Sequence, residues 1–142
     1  MSNLKKFALV PTAIHHLRDG NDELMYADGP DGNPDESRPM RAHMFGPGSK
    51  RYAAARAAQS NRSMDRFKAK GKDKTTAAEQ AEDTAKFLIA CTDHLENVEV
   101  DQLAGEALLM NVYTDLEVCF IASQLDKFIG ETANFTQKSL TA

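Results

Sequence analysis

The chain of 142 residues contains no tryptophan, only two cysteines and only four histidines. Two cysteines cannot build a disulfide scaffold, and so few histidines and cysteines argue against a multi-ligand zinc site. Long apolar runs are also missing. The longest, Phe87–Cys91 and Val118–Ala122, are five residues each, whereas a membrane span needs roughly 20. Lys5 and Lys6 before Phe7–Val10 imitate the start of a secretory signal. Pro11 interrupts the apolar stretch before it reaches the roughly 7–15 residues of a signal core, so the segment reads as a strand and the protein as cytoplasmic. Proline is absent after Pro47: all five prolines, and five of the eight glycines, lie within residues 1–48.

What is present is an ordinary globular composition, 42% hydrophobic and 27% charged, with a net charge of −4. Such a chain can bury one core. The charge is segregated. Residues 50–74 hold nine Lys or Arg against two Asp, residues 75–142 hold three cations against twelve acids, and residues 1–49 are nearly balanced with five against seven. The chain therefore reads as a turn-rich arm, a basic middle and an acidic body.

Proline fixes φ and removes a backbone donor, so helices do not propagate through residues 1–48. Short strands are predicted at Lys6–Val10, Glu23–Tyr26 and Met40–Phe45, with a turn at Arg18–Asn21 and a mobile loop at Asp28–Pro39. From Ser49 the pattern is helical. Ser49 caps a first helix to Lys68, with Tyr52, Ala55, Gln59, Ser63 and Phe67 along one side. Thr76-x-x-Glu79 is a capping box opening a second helix to about His94. Asp101 caps a third over Gln102–Val112, and Thr114-x-x-Glu117 opens a fourth over Asp115–Thr132, with an apolar stripe of Val118, Ile121/Ala122, Leu125 and Phe128/Ile129. The fold class is α+β: mainly α, about four helices, with a small N-terminal hairpin or irregular arm. The expected organisation is an arm over 1–48, a helical domain over 49–134 and a frayed tail over 135–142.

No catalytic constellation emerges. No two of His15, His16, His43 and His94 have the i, i+4 spacing that places two ring nitrogens on one helical face. Cys91 and Cys119 both fall on apolar helical faces and read as reduced core thiols. Asp93-His94 near Cys91 is the one arrangement resembling an activated thiol, but a nucleophile facing a packed core lacks access. Gly46-Pro47-Gly48-Ser49-Lys50 lacks the spacing of a phosphate loop and reads as a turn and helix cap. The oxygen-rich Asp28–Asn33 lacks the bidentate Glu and flanking helices of a calcium loop. The basic middle could contact phosphates, yet only Tyr52 and Phe67 interleave with its cations, which is poor for a stacking platform. Docking of those cations on the acidic body, or on another copy, is the better reading.

Gly48-Ser49-Lys50-Arg51-Tyr52, followed by an alanine-rich helix and Gln59-Ser60-Asn61-Arg62, resembles the Gly-x-x-Ser-x-x-Tyr … Asn-Arg stretch of tail assembly chaperones from long-tailed siphophages. Leu88–Leu95, Ala107–Asp115 and Ala133-Asn134-Phe135 extend the resemblance over most of residues 45–136. It implies a non-catalytic protein of the host-cell cytoplasm, without cofactor. Such chaperones bind the tape-measure protein, keep it soluble and help bring tail-tube subunits to it. In many relatives a ribosomal frameshift makes a longer form. Helices with wide apolar arcs could cover a client's helical faces; Phe87, Ile89, Phe120 and Phe128, with Arg62 and Arg66 from the basic middle, are the candidate partner-binding residues. An arm that adds a strand to a neighbouring copy would give a homo-oligomer. The alternatives are a small nucleic-acid-binding regulator using residues 50–74, and a phage tail or connector structural protein.

Overall fold

Pro11 separates two conformations at the start of the chain. Before it, Asn3 accepts a hydrogen bond from Lys5 N at 2.9 Å, and Leu4–Phe7 winds into a 3-10 turn instead of the expected strand. After it, Thr12–His16 forms the first strand, β1. The computed structural model describes residues 3–71 and 75–139. Lys72, Asp73 and Lys74 of the basic middle, and residues 140–142 of the expected tail, lie outside the described residues.

The turn predicted at Arg18–Asn21 is present. Asp19 Oδ1 accepts from Asn21 N and Glu23 N at 2.9 and 3.0 Å, and Arg18 bridges to Leu24. The next strand, β2, is Tyr26–Asp28, displaced toward the C-terminus from the expected Glu23–Tyr26. The segment expected to be a mobile loop instead folds back as β3, Pro34–Pro39, antiparallel to β2. Its tight reversal has Gly29 N bonded to Asn33 O at 2.8 Å and Gly32 at φ +80, a conformation that suits glycine. β4, Arg41–Phe45, realises the expected third strand.

α1 spans Lys50–Lys70 and begins as read: Ser49 Oγ accepts from Tyr52 N at 3.1 Å. It stops at Gly71, which adopts φ +85 and donates to Phe67 O at 2.8 Å. α2, Ala77–Cys91, opens with the reciprocal Thr76–Glu79 capping box. It ends before His94, because Thr92–Glu96 is a strand, β5, that joins directly to the helix. β5 pairs antiparallel with β4, which also pairs antiparallel with β1, giving a sheet of order β1-β4-β5.

α3 is Gly105–Thr114, shorter at its start than expected. Asp101 is left-handed at φ 50 and Leu103 N turns back to Val100 O at 3.1 Å, so the chain reverses before the helix begins. The second capping box does not form. Thr114 Oγ1 donates to Met110 O at 2.6 Å, and Asp115 instead caps a 3-10 turn over Leu116–Val118 by accepting from Glu117 N. α4 then runs Cys119–Gly130.

The inner face of the sheet contributes Ala13, Ala42 and Met44 to the core. Leu88 and Cys91 of α2, Leu109, Val112 and Tyr113 of α3, and Ile121, Leu125 and Ile129 of α4 pack against it. Two expectations about this core are corrected. Cys119 is exposed, because α4 turns Ile121, Leu125 and Ile129 inward and position 119 falls on the opposite side. The tail expected to fray from residue 135 is anchored at its start: Phe135 is fully buried, and its ring lies so close to Gly46 that a β-carbon there would enter it. The expected boundary at residue 48 separates strands of one sheet, since β1 and β4 precede it and β5 follows it. The fold is α+β, with four helices and five strands among the described residues.

Candidate functional site

The chain joins α1 to α2 as an antiparallel hairpin, and α1 packs on α2 and on little else. In 21 residues α1 buries only Ala55. What holds it in place is charge. Arg66 grips Asp83 through both terminal nitrogens, with Nη2 2.9 Å from Oδ1, and its Nε lies 2.9 Å from Glu79 Oε2. Arg62 Nε stands 3.4 Å from the same Asp83 carboxylate, and Lys70 Nζ is 2.8 Å from Glu79 Oε1. Arg66 holds the Asp83 carboxyl below the usual carboxylate range, and Lys70 with the Thr76 backbone lowers Glu79 to about 2. The two arginines read as partner-binding residues are thus paired within the chain: with Lys70 they dock on the acidic opening of α2.

These pairs set the rotation of α1. Ala55, Arg62 and Arg66 recur at helical spacing on the side toward α2, so Phe67, read on one side with Tyr52 and Ala55, is turned outward while Ala55 is buried. Met64 and Phe67 are each 54% exposed. Both also edge an open groove of about 830 Å³ shared with Gln80 and Thr84 of α2.

The four apolar candidates are dispersed. Phe87 is 1% exposed, edge-on to Tyr52 at 5.6 Å and beneath the Arg56 guanidinium at 4.5 Å. It is core and offers no binding surface, because the helix face it occupies is the one α1 covers. Ile89 is half-buried in a cleft of about 670 Å³ with Leu95, Leu108 and Met110. Phe120 and Phe128 are half-buried beside a separate cleft of about 600 Å³ near β1. There Phe128 rests on His15 at 4.8 Å and on Phe135 at 5.5 Å. Gln124 secures that contact: Oε1 lies 2.9 Å from His15 Nε2 and accepts from Arg18 N, and Nε2 donates to Arg18 O at 2.8 Å. Burial lowers the pKa of His15.

Burial raises the Cys91 thiol to about 11, so it stays protonated at neutral pH, and His94 turns away to Asp93 at 2.7 Å. Across the sheet, His43 stacks on His94 with centroids 4.0 Å apart, beside the Arg41–Glu96 pair. Burial, then the neighbouring His94, lowers the pKa of His43. Among the described residues no group of three or more His, Cys, Asp or Glu is placed to hold a metal ion, and no helix is long and apolar enough to cross a membrane.

Sequence reasoning missed the outward row of α1. Ala53, Ala57, Ser60, Met64 and Phe67 follow steps of four, three, four and three residues, and all five are exposed. That spacing was visible, but without the Arg66–Asp83 contact nothing in it told which side of the helix faces α2. No protein-family model, curated protein or solved structure matches the chain.

Proposed function

We propose that this protein is a tail assembly chaperone, which acts without catalysis in the host cytoplasm by binding the tape-measure protein, keeping it soluble and helping to recruit tail-tube subunits. The observation that carries the reading is the solvent-facing pair Met64 and Phe67 on a helix that packs mainly against α2. Isolated exposed apolar residues are ordinary. Two large ones a single turn apart, on a helix with one free side, form a surface suited to helix-in-groove recognition. The resemblance of residues 45–136 to the siphophage chaperones supplies the client's identity. Pairing of Arg62, Arg66 and Lys70 with Asp83 and Glu79 weakens the nucleic-acid alternative, because those cations already have partners.

The test is co-expression with the tape-measure protein of the same phage. The expected outcome is that the client stays in the supernatant with the wild-type chain and sediments with the Met64→Ser/Phe67→Ser variant. A client that sediments equally with and without the wild-type chain overturns the reading.

A further inference from the structure

The outward row of α1 has the spacing of a coiled-coil seam. In a heptad abcdefg, d-to-a steps are four residues and a-to-d steps are three. Ala53, Ser60 and Phe67 then fall at d, and Ala57 and Met64 at a, all of them exposed. Two small residues and a serine lead into two large apolar ones. A partner helix could therefore approach the first half closely and seat its own large side chains there, while Met64 and Phe67 fill holes on the partner in the second half.

The positions flanking the seam choose the partner. The e positions are Ala54, Asn61 and Lys68, and the g positions are Arg56, Ser63 and Lys70. Every charged one is a cation. Lys70 is committed to Glu79. Arg56 has no carboxylate partner among the described residues: its guanidinium bonds Tyr52 Oη and Gln59 Oε1. Lys68 makes no ion pair among them. Residues at e and g set partner choice in coiled coils. A second copy of α1 offers these cations no carboxylate: parallel and in register, Arg56 would face Asn61 and Lys68 would face Ser63, and in the fully overlapped antiparallel pair Arg56 would face Lys70, so self-pairing gains no charge attraction along the seam.

We infer that α1 binds a client helix of defined chemistry: an amphipathic segment with large apolar residues at 3,4 spacing flanked by glutamate or aspartate. This names the kind of tape-measure segment the chaperone would hold, and to that extent rests on the proposed function. The attraction is partly electrostatic, so it weakens as salt screens exposed charges.

The test uses two fluorescent four-heptad peptides with leucine at a and d, one with glutamate and one with lysine at e and g, titrated with the full chain. Anisotropy is expected to show the glutamate peptide binding at least about tenfold more tightly than the lysine peptide. Met64→Ser/Phe67→Ser abolishes that binding. Arg56→Glu/Lys68→Glu reverses the preference, and Lys68→Glu alone, far from the core, narrows it without endangering the fold.

Four results overturn the inference: binding of neither peptide, equal binding of both, binding untouched by the seam variant, or a wild-type dimer that the seam variant converts to monomer. Tighter binding to a duplex DNA fragment than to the glutamate peptide, lost in Arg56→Glu/Lys68→Glu, also overturns it in favour of a phosphate-binding surface. The peptide assay is independent of co-expression. A seam that discriminates the peptides while the tape-measure protein still sediments would leave the seam standing and remove the chaperone reading; a protected client with no peptide discrimination would do the reverse.

Discussion

At the scale of single residues, the most consequential side chain is Thr92. Its hydroxyl donates to Leu88 O at 2.6 Å, lies 2.8 Å from Tyr113 Oη and stands 3.5 Å from Met44 Sδ, all in the core. It sits where α2 becomes β5, so one buried hydroxyl ties helix, strand and α3 together. Burial drives the Tyr113 phenol up to about 12, which keeps it neutral and able to share this bond. Thr92→Val preserves shape but leaves Tyr113 Oη without that partner. We expect a loss of about 1–3 kcal/mol, read from the urea midpoint. Adding Tyr113→Phe should cost less than the sum of the two single changes, because an unpaired buried group is dearer than two absent ones. A fully additive cycle would show that the hydroxyls do not act together. Thr92 was absorbed into the predicted helix, which was read on to about His94. Pairing of β5 with β4 is a long-range contact that local periodicity does not carry.

At the scale of elements, the α1–α2 hairpin shows how charge substitutes for apolar packing. α1 forms on alanine-rich propensity and a serine cap, both readable directly from the chain. Its attachment depends on Asp83, whose side chain is 11% exposed and receives Arg66 and Arg62. Because the Asp83 carboxyl is held below its ordinary range, its contribution to stability is fully present above about pH 4 and is lost as pH falls through the lowered value. Asp83→Asn should therefore destabilise the hairpin by about 2 kcal/mol at neutral pH. The gap from wild type should close on acidification, as followed by helical circular dichroism across a pH series. A gap of constant size down to the acid limit would mean that Asp83 contributes packing and not charge. The capping box at Thr76 was legible because both its members are local. The second box failed because Thr114 spends its hydroxyl on Met110 O, an alternative that a motif of four residues does not reveal.

At the scale of the whole molecule, the segment before β1 meets the segment around Phe135. Val10 N donates to Phe135 O at 2.8 Å, Gln137 Nε2 donates to Ala8 O at 3.1 Å, and the Phe135 ring closes over Gly46 and Phe128. The turn before α1 is therefore locked by a residue nearly ninety positions later. Phe135→Ala should lower stability by about 3–5 kcal/mol. Gly46→Ala, which overfills the same spot, should cost about 1–3 kcal/mol. Chemical denaturation checks both, and a Gly46→Ala protein as stable as wild type would show that the ring can move aside.

The sequence by itself determined what depends on neighbours a few residues apart: the Ser49 and Thr76 caps, the helical character of the later chain, the strand at 41–45 and the segregation of charge. Tertiary structure alone decided that the turn-rich arm and the helical body share one sheet, that Phe87 is interior while Met64 and Phe67 face solvent, and that Phe135 is an anchor. The physical reason is rotational. Periodicity says that a helix has faces, but which face is buried depends on a partner distant in sequence, and here Asp83 makes that choice for α1.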